Sequence, residues 1–157
     1  MIFACPIRAA VWLGMNGVVV KRVLGPFTLA ELAQAVVMRV EDIELYEDCG
    51  VLQPARRRLG RADRTAYHAE HVERLRYIKR ALGCGLTIQD ILALLDPAAL
   101  LPAKDVRAIV QRRLSIVRQT EGEDGATTQA LENLLQGCPG TGARRDCSIL
   151  KTLAGPG

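Results

Sequence analysis

Residues 27–95 set four short helical patterns around an arginine-rich turn, and this arrangement constrains the fold more than any other feature of the chain. The first pattern opens Thr28-Leu29-Ala30-Glu31, a capping box in which the hydroxyl and the carboxylate each take a free amide of a starting helix. Behind it, Leu29, Leu32, Ala33 and Val36 recur on one face of a helical period. The second pattern covers 40–48, with Val40, Ile43 and Tyr46 inward, and the third covers 68–82, with Val72, Leu75, Ile78 and Leu82 on one stripe. The fourth opens on another box, Thr87-Ile88-Gln89-Asp90, and turns Ile88, Ile91, Leu92 and Leu95 to the core.

Only six of 157 residues are aromatic, and little Val/Thr/Tyr alternation appears, so the class is expected to be mostly α. The net charge of +4 says less than its distribution. Residues 56–80 carry nine Lys/Arg against three Asp/Glu, whereas 27–55 carry one Arg against six acids. The positive field therefore belongs to the turn and the third helix, where it suits an anionic partner. Two short helices, a basic wing and two further helices together read as a DNA-binding head. No Ser/His/Asp order, glycine-rich phosphate loop or paired-carboxylate signature is present, so an enzyme is not expected.

The five cysteines, at 5, 49, 84, 138 and 147, are odd in number and scattered, which points to a reducing cytoplasm rather than a disulfide framework. The apolar stretch at 9–20 is too short to span a bilayer and is broken by Gly14, Asn16 and Gly17. It reads as a poorly ordered extension over 1–26. A leader is the competing reading, because Arg8 precedes the stretch, and Met15 is an alternative start.

The residues of the head resemble the MerR family of bacterial transcription regulators. The resemblance runs from Phe27 to about Leu153 and rests on Phe27-Thr28-Leu29-Ala30-Glu31-Leu32-Ala33, Val40-Glu41-Asp42-Ile43-Glu44-Leu45-Tyr46-Glu47, Gly50-Val51-Leu52 with Pro54, Arg64-Thr65-Ala66-Tyr67, and Gly85-Leu86-Thr87-Ile88-Gln89-Asp90-Ile91. It implies a winged helix-turn-helix head over 27–95, a long dimerisation helix over 96–137 and a cysteine loop and tail over 138–157. It further implies a homodimer that distorts double-stranded promoter DNA for RNA polymerase, with no membrane partner; differential bending energy would be the stored quantity. Thr28, Tyr46, Arg56, Arg57, Arg58, Arg61, Arg64 and Tyr67 are the expected DNA contacts. Three departures stand out. Glu44 replaces a family arginine, leaving the second helix with five acids and no base; Val37 stands where a turn glycine is expected; and the wing lacks its first tyrosine. Carboxylates facing phosphate release no counterions, so the second helix should weaken binding.

Near the C-terminus, Cys138-Pro139-Gly140 and Cys147-Ser148-Ile149-Leu150 flank a turn able to fold two sulfurs together. Two soft thiolates suit Cu(I), Ag(I), Au(I) or Hg(II) in near-linear coordination, whereas Zn(II) wants four ligands. Arg144 and Arg145 are placed to favour the thiolate. On spacing alone, a loose tail with two incidental thiols stays open. The loop is similar to that of the family's metal-sensing branch, and this resemblance implies a soft ion at Cys138 and Cys147. Members that sense divalent ions add a cysteine from the partner at the position aligned with Ala103, which disfavours Zn(II) here. Cys49 and Cys84 read as small buried hydrophobes, and His68 and His71 as phosphate or solvent contacts.

The dimer helix is the weakest pattern. Val106, Ile109, Val110 and Val117 keep helical spacing, and Leu131, Leu134 and Leu135 resume it, but 119–128 offer no large apolar residue and include Gly122 and Gly125. A coiled coil needs an unbroken apolar seam, so either the helix breaks into two or the dimer is weak. The expected function is a metal-responsive regulator; the competing class is a thiol-based metal-binding protein whose DNA head has degenerated.

Overall fold

A computed structural model describes residues 26–54, 56–57, 65–96, 101–122 and 125–155. Their order is α1 (Leu29–Val36), α2 (Val40–Asp48), β1 (Arg56–Arg57), β2 (Thr65–Ala66), α3 (Ala69–Gly83), α4 (Ile88–Leu95), α5 (Ala103–Glu121), α6 (Ala126–Gln136), a 3-10 turn (Arg144–Asp146) and α7 (Ser148–Ala154). The expected mostly helical class holds. β1 and β2 pair antiparallel with Arg56 opposite Ala66 and Arg57 opposite Thr65. Among the described residues, no helix is long and apolar enough to cross a membrane.

Both capping boxes form. Glu31 N–H donates to Thr28 Oγ1 at 3.3 Å while Thr28 N–H donates to Glu31 Oε2 at 2.8 Å. Thr87 and Asp90 exchange the same pair of bonds at 3.0 and 3.2 Å. Each box removes two orphan amides at a helix start. Leu32, Ile43, Val51, Leu75 and Ile78 meet in the head core, all buried. Fully burying a side chain of this kind contributes about 1.5–3 kcal/mol, so this cluster sets how α1, α2 and α3 lie on one another. Phe27 closes the head from outside the helices, pairing its backbone with Tyr67 through bonds of 2.7 and 2.9 Å.

The α4 stripe differs from the expected one. Ile91 and Leu94 are the buried apolar positions, with Asp90, while Ile88, Leu92 and Leu95 are only half-buried. α4 packs against α3 on one side and α5 on the other, so its innermost line runs between the two contacts. The span 96–137 is not one helix. α5 ends at Glu121, Gly122 takes φ +82, and α6 starts at Ala126 and packs back along α5. Thr128, fully buried, donates its hydroxyl to Gly122 O at 2.9 Å and ties the return.

Val37 does what a β-branched residue resists. It closes α1 at φ 53 and ψ 61, the left-handed region, with its side chain 78% exposed. The compensation is on its backbone: its N–H bonds Gln34 O, and Lys79 Nζ of α3 bonds Val36 O and Val37 O, both at 3.1 Å. Left-handed backbone costs an L-residue about 1–2 kcal/mol, and the exposed methyls recover little. Val37→Gly keeps every one of these bonds, so it should stabilise the chain by about 0.5–1 kcal/mol after the extra unfolded-state entropy of glycine. Thermal unfolding checks this; a lower midpoint in the variant would refute the assignment of strain.

Candidate functional site

The return of α6 delivers Cys138 to the start of α7. Cys138 follows the C-cap Gly137 of α6, and Cys147 is the N-cap residue of α7. Their Sγ atoms lie 4.0 Å apart, and each residue is 2% exposed. Between them, Gly140 at φ +74 and Gly142 at φ +94 turn the chain where side chains would be strained. The turn is held by its ends. Ser148 Oγ donates to Gly137 O at 2.6 Å, and Arg107 Nη1 of α5 donates to Leu135 O at 2.8 Å and to Cys138 O.

The two thiols are chemically unequal. Burial pushes Cys138 up, but hydrogen bonding from the Gly140 amide, from Cys147 and from Ser148, with the charge of Arg107, brings it below the ordinary thiol range. Burial dominates at Cys147 and pushes it up, against the amides of Leu150 and Ile149. One sulfur is thus disposed to be the anion and the other its donor. The cation beside Cys138 is Arg107, not the expected Arg144 or Arg145. Arg144 Nη2 donates instead to Leu94 O at the end of α4, and Arg145 is exposed and near Asp146 at 3.7 Å. No local sequence signal could have found Arg107, because it reaches the loop only after α6 folds back.

At about 2.3 Å per metal–sulfur bond, a tetrahedral edge spans about 3.8 Å and a linear pair about 4.6 Å. The observed 4.0 Å lies between them, so separation alone does not select a geometry. Donor count does more: among the described residues, no group of three or more His, Cys, Asp or Glu is placed to hold an ion. The cysteine pair fits a soft ion held by two sulfurs from this chain. Ala103, at the head of α5, is fully buried.

The other thiols stand apart. Cys84 is half-buried and its thiol is pushed up by burial. Cys49 is exposed, contrary to the expectation of a buried hydrophobe, because α2 ends there and the chain turns through Gly50. Cys5 lies outside the described residues.

The expected nucleic-acid residues divide. Thr28 is exposed at the start of α1. Arg56 and Arg57 lie on β1, whereas Arg58, Arg61 and Arg64 fall outside the described residues. Tyr46 and Tyr67 are buried, and Tyr67 donates its hydroxyl to Glu47 Oε1 at 3.0 Å. Burial first, then that bond, raises the phenol well above its usual range. His71 is neither a phosphate nor a solvent contact. It is buried, its Nδ1 accepts from His68 N–H at 3.0 Å, and its ring meets Tyr67 edge-on at 5.3 Å. It is the N3 residue of a capping box at the start of α3, a role usually taken by Glu or Gln. On α2, Asp42 is engaged by Arg39 through bonds of 3.0 and 2.7 Å and Glu47 by Tyr67, leaving Glu41, Glu44 and Asp48 exposed.

Comparison with known proteins agrees with this geometry. The model of the MerR HTH family regulatory proteins matches residues 27–97. The HTH-type transcriptional regulator HmrR of Rhizobium leguminosarum bv. viciae is 31% identical over 129 residues, covering 80% of this chain and 96% of that protein. The crystal structure of the transcription regulator PbrR691 from Ralstonia metallidurans CH34 in complex with lead(II) is similar at 27% identity and a TM-score of 0.54, over 81% of this chain and 98% of that one. The chain belongs to the MerR family of helix-turn-helix regulatory proteins.

Proposed function

We propose that the chain is a metal-responsive transcription regulator of the cytoplasm, acting as a homodimer on promoter DNA together with RNA polymerase. The observation that carries the metal reading is the buried pair of thiols at 4.0 Å, one disposed to ionise, on a chain that also holds the helix-turn-helix head. The similar PbrR691 structure contains lead(II), which supports an ion as effector. Cys138 and Cys147 are the ligands we assign, and Cu(I), Ag(I), Au(I) or Hg(II) the favoured ions over Zn(II), because two thiolates satisfy a linear ion and leave a tetrahedral one incomplete. Cys138 and Cys147 would hold such an ion through their thiolates, with Arg107 supplying the neighbouring positive charge.

On this reading, residues 27–95 form a winged helix-turn-helix head, β1 and β2 the base of its wing, and α5 the core of the dimer contact, where Ile116 is left 46% exposed. Residues 138–157 form the cysteine loop and tail. Arg56, Arg57, Arg58, Arg61 and Arg64 contact phosphate with Thr28, while Tyr46 and Tyr67 brace the head behind them. A second reading, a thiol-based metal-binding protein with a degenerate head, draws on the exposed Glu41, Glu44 and Asp48 of α2, which repel phosphate.

Replacing Arg56, Arg57 and Arg58 together by Ala should weaken binding to the upstream promoter and flatten its salt dependence, by roughly 0.9 in log–log slope per lost phosphate contact. Glu44→Arg should tighten it. Anisotropy titrations across salt concentrations read both, and equal affinities in all proteins would reject the DNA face. Cys138→Ser and Cys147→Ser should each abolish tight binding of Ag(I), since a hydroxyl cannot replace a soft anion, whereas Cys49→Ser and Cys84→Ser should retain it. Arg107→Met should raise the Cys138 pKa, measured by ultraviolet titration of the thiolate in the Cys5→Ser/Cys49→Ser/Cys84→Ser background. An unmoved titration would remove Arg107 from the site.

A further inference from the structure

The cysteine-bearing segment lies on the head through contacts other than those that tie the loop to α5. α7 starts at Cys147 and packs on α3, burying Ile149 and Leu153. A helix leaves its last carbonyls without partners. At the end of α7 they are met from another helix: Arg80 Nη1 of α3 donates to Leu153 O at 2.8 Å and to Ala154 O. A guanidinium there also complements the negative end of the helix dipole. The next residue is Gly155, at φ +76, and a Cβ built on it would fall within the guanidinium of Arg80. Only glycine lets the arginine reach those two carbonyls, and it meets both the steric and the backbone demand.

A second attachment lies nearer the thiols. Arg144 Nη2 bonds Leu94 O of α4 while its Nη1 is buried and unpaired among the described residues, as is the hydroxyl of Tyr77 on α3. Unpaired buried polar atoms each cost about 1–3 kcal/mol. The docked arrangement therefore holds at one end of α7, through Arg80, and carries unsatisfied groups near the other. That asymmetry suits an element with two discrete positions.

We propose that Arg80 is a positioning residue that clamps the C-terminal end of α7 to α3, so that the state of the cysteine pair at the opposite end is transmitted to the head. The inference rests on the regulator reading above. α7 is a rod of seven residues, about 10 Å long. Opening the sulfurs from 4.0 Å toward a linear pair displaces its N-terminal end. With the far end fixed, that displacement is applied to α3, which also carries Lys79 to the carbonyls of the α1–α2 turn. With the far end free, α7 pivots and α3 is not loaded.

The test uses the full chain, Ag(I) as the ion and a duplex of its own upstream promoter, in wild type, Arg80→Ala, Arg80→Lys and Gly155→Ala. Gly155→Ala displaces the guanidinium without removing a charge from the DNA-binding head. Without metal, hydrogen exchange over 148–154 should be roughly tenfold faster in Arg80→Ala and Gly155→Ala, and intermediate in Arg80→Lys. Silver stoichiometry should stay unchanged in all four. The change that Ag(I) makes to the bending of the duplex, read by energy transfer between its labelled ends, should be lost in the two alanine variants. Wild-type exchange in those variants overturns the clamp, and a wild-type bending response overturns the coupling. A wild-type protein whose bending of the duplex ignores Ag(I) refutes the regulator reading and the coupling with it, and the exchange measurement still decides whether Arg80 holds α7.

Discussion

The fold-back of α6 on α5 is the constraint on which the thiol site depends. Val106, Val110, Leu114 and Val117 form one face of α5, and Leu131, Leu134 and Leu135 the face of α6 that joins the same core. A helix rises about 1.5 Å per residue, so the eleven residues of α6 retrace only part of the nineteen of α5. The return ends level with Arg107, whose guanidinium takes the carbonyls of Leu135 and Cys138. From there the glycine-rich turn needs to carry the chain only to Cys147. A continuous helix through 122–125 would place Cys138 far from Arg107, and the pair would lose the cation that lowers one of its members.

Among the described residues, several cations are occupied as caps and ties rather than as a field. Arg74 Nε bonds Val51 O at 3.1 Å, Lys79 holds the α1–α2 turn, Arg80 ends α7, and Arg113 Nε bonds Gly85 O at 2.8 Å. Arg76 pairs with Glu73 at 3.1 Å. Of the nine basic residues at 56–80, these contacts engage four on α3. A positive side chain bonded to a carbonyl keeps its charge but not its freedom to meet a phosphate. The four engaged cations of α3 are therefore less free to meet an anionic partner than their number suggests. Two acids of α2 are engaged similarly, since Asp42 and Glu47 are bonded within the head. The charge balance of the head is less one-sided than a residue count suggests.

The cysteine loop and the head share α3. Its inner face carries Leu75 and Ile78 into the head core, while Tyr77 lies within electrostatic reach of Arg144 and Cys147 and its phenol is pushed up to about 12, chiefly by burial. One helix thus serves both within a single hydrophobic core. Packed interiors shift between discrete arrangements more readily than they deform, so a shared helix is the contact through which the proposed coupling between the cysteine loop and the head would run.

Local physics was legible in the sequence. The Thr28/Glu31 and Thr87/Asp90 boxes marked helix starts, since both partners lie within four residues; apolar spacing marked the faces of α1, α2 and α3; the glycines and missing apolar residues at 119–128 marked the break after α5. Cys138 and Cys147 were visible as a pair because a Pro-Gly turn joins them. What the tertiary structure alone decided are long-range choices of partner: Tyr67 giving its hydroxyl to Glu47, Leu94 rather than Leu95 facing the core, Arg107 rather than Arg144 beside the thiol, and Arg80 on the end of α7. Each joins groups whose approach depends on how whole helices pack, and a period or a spacing in one segment carries no information about a cation arriving from another.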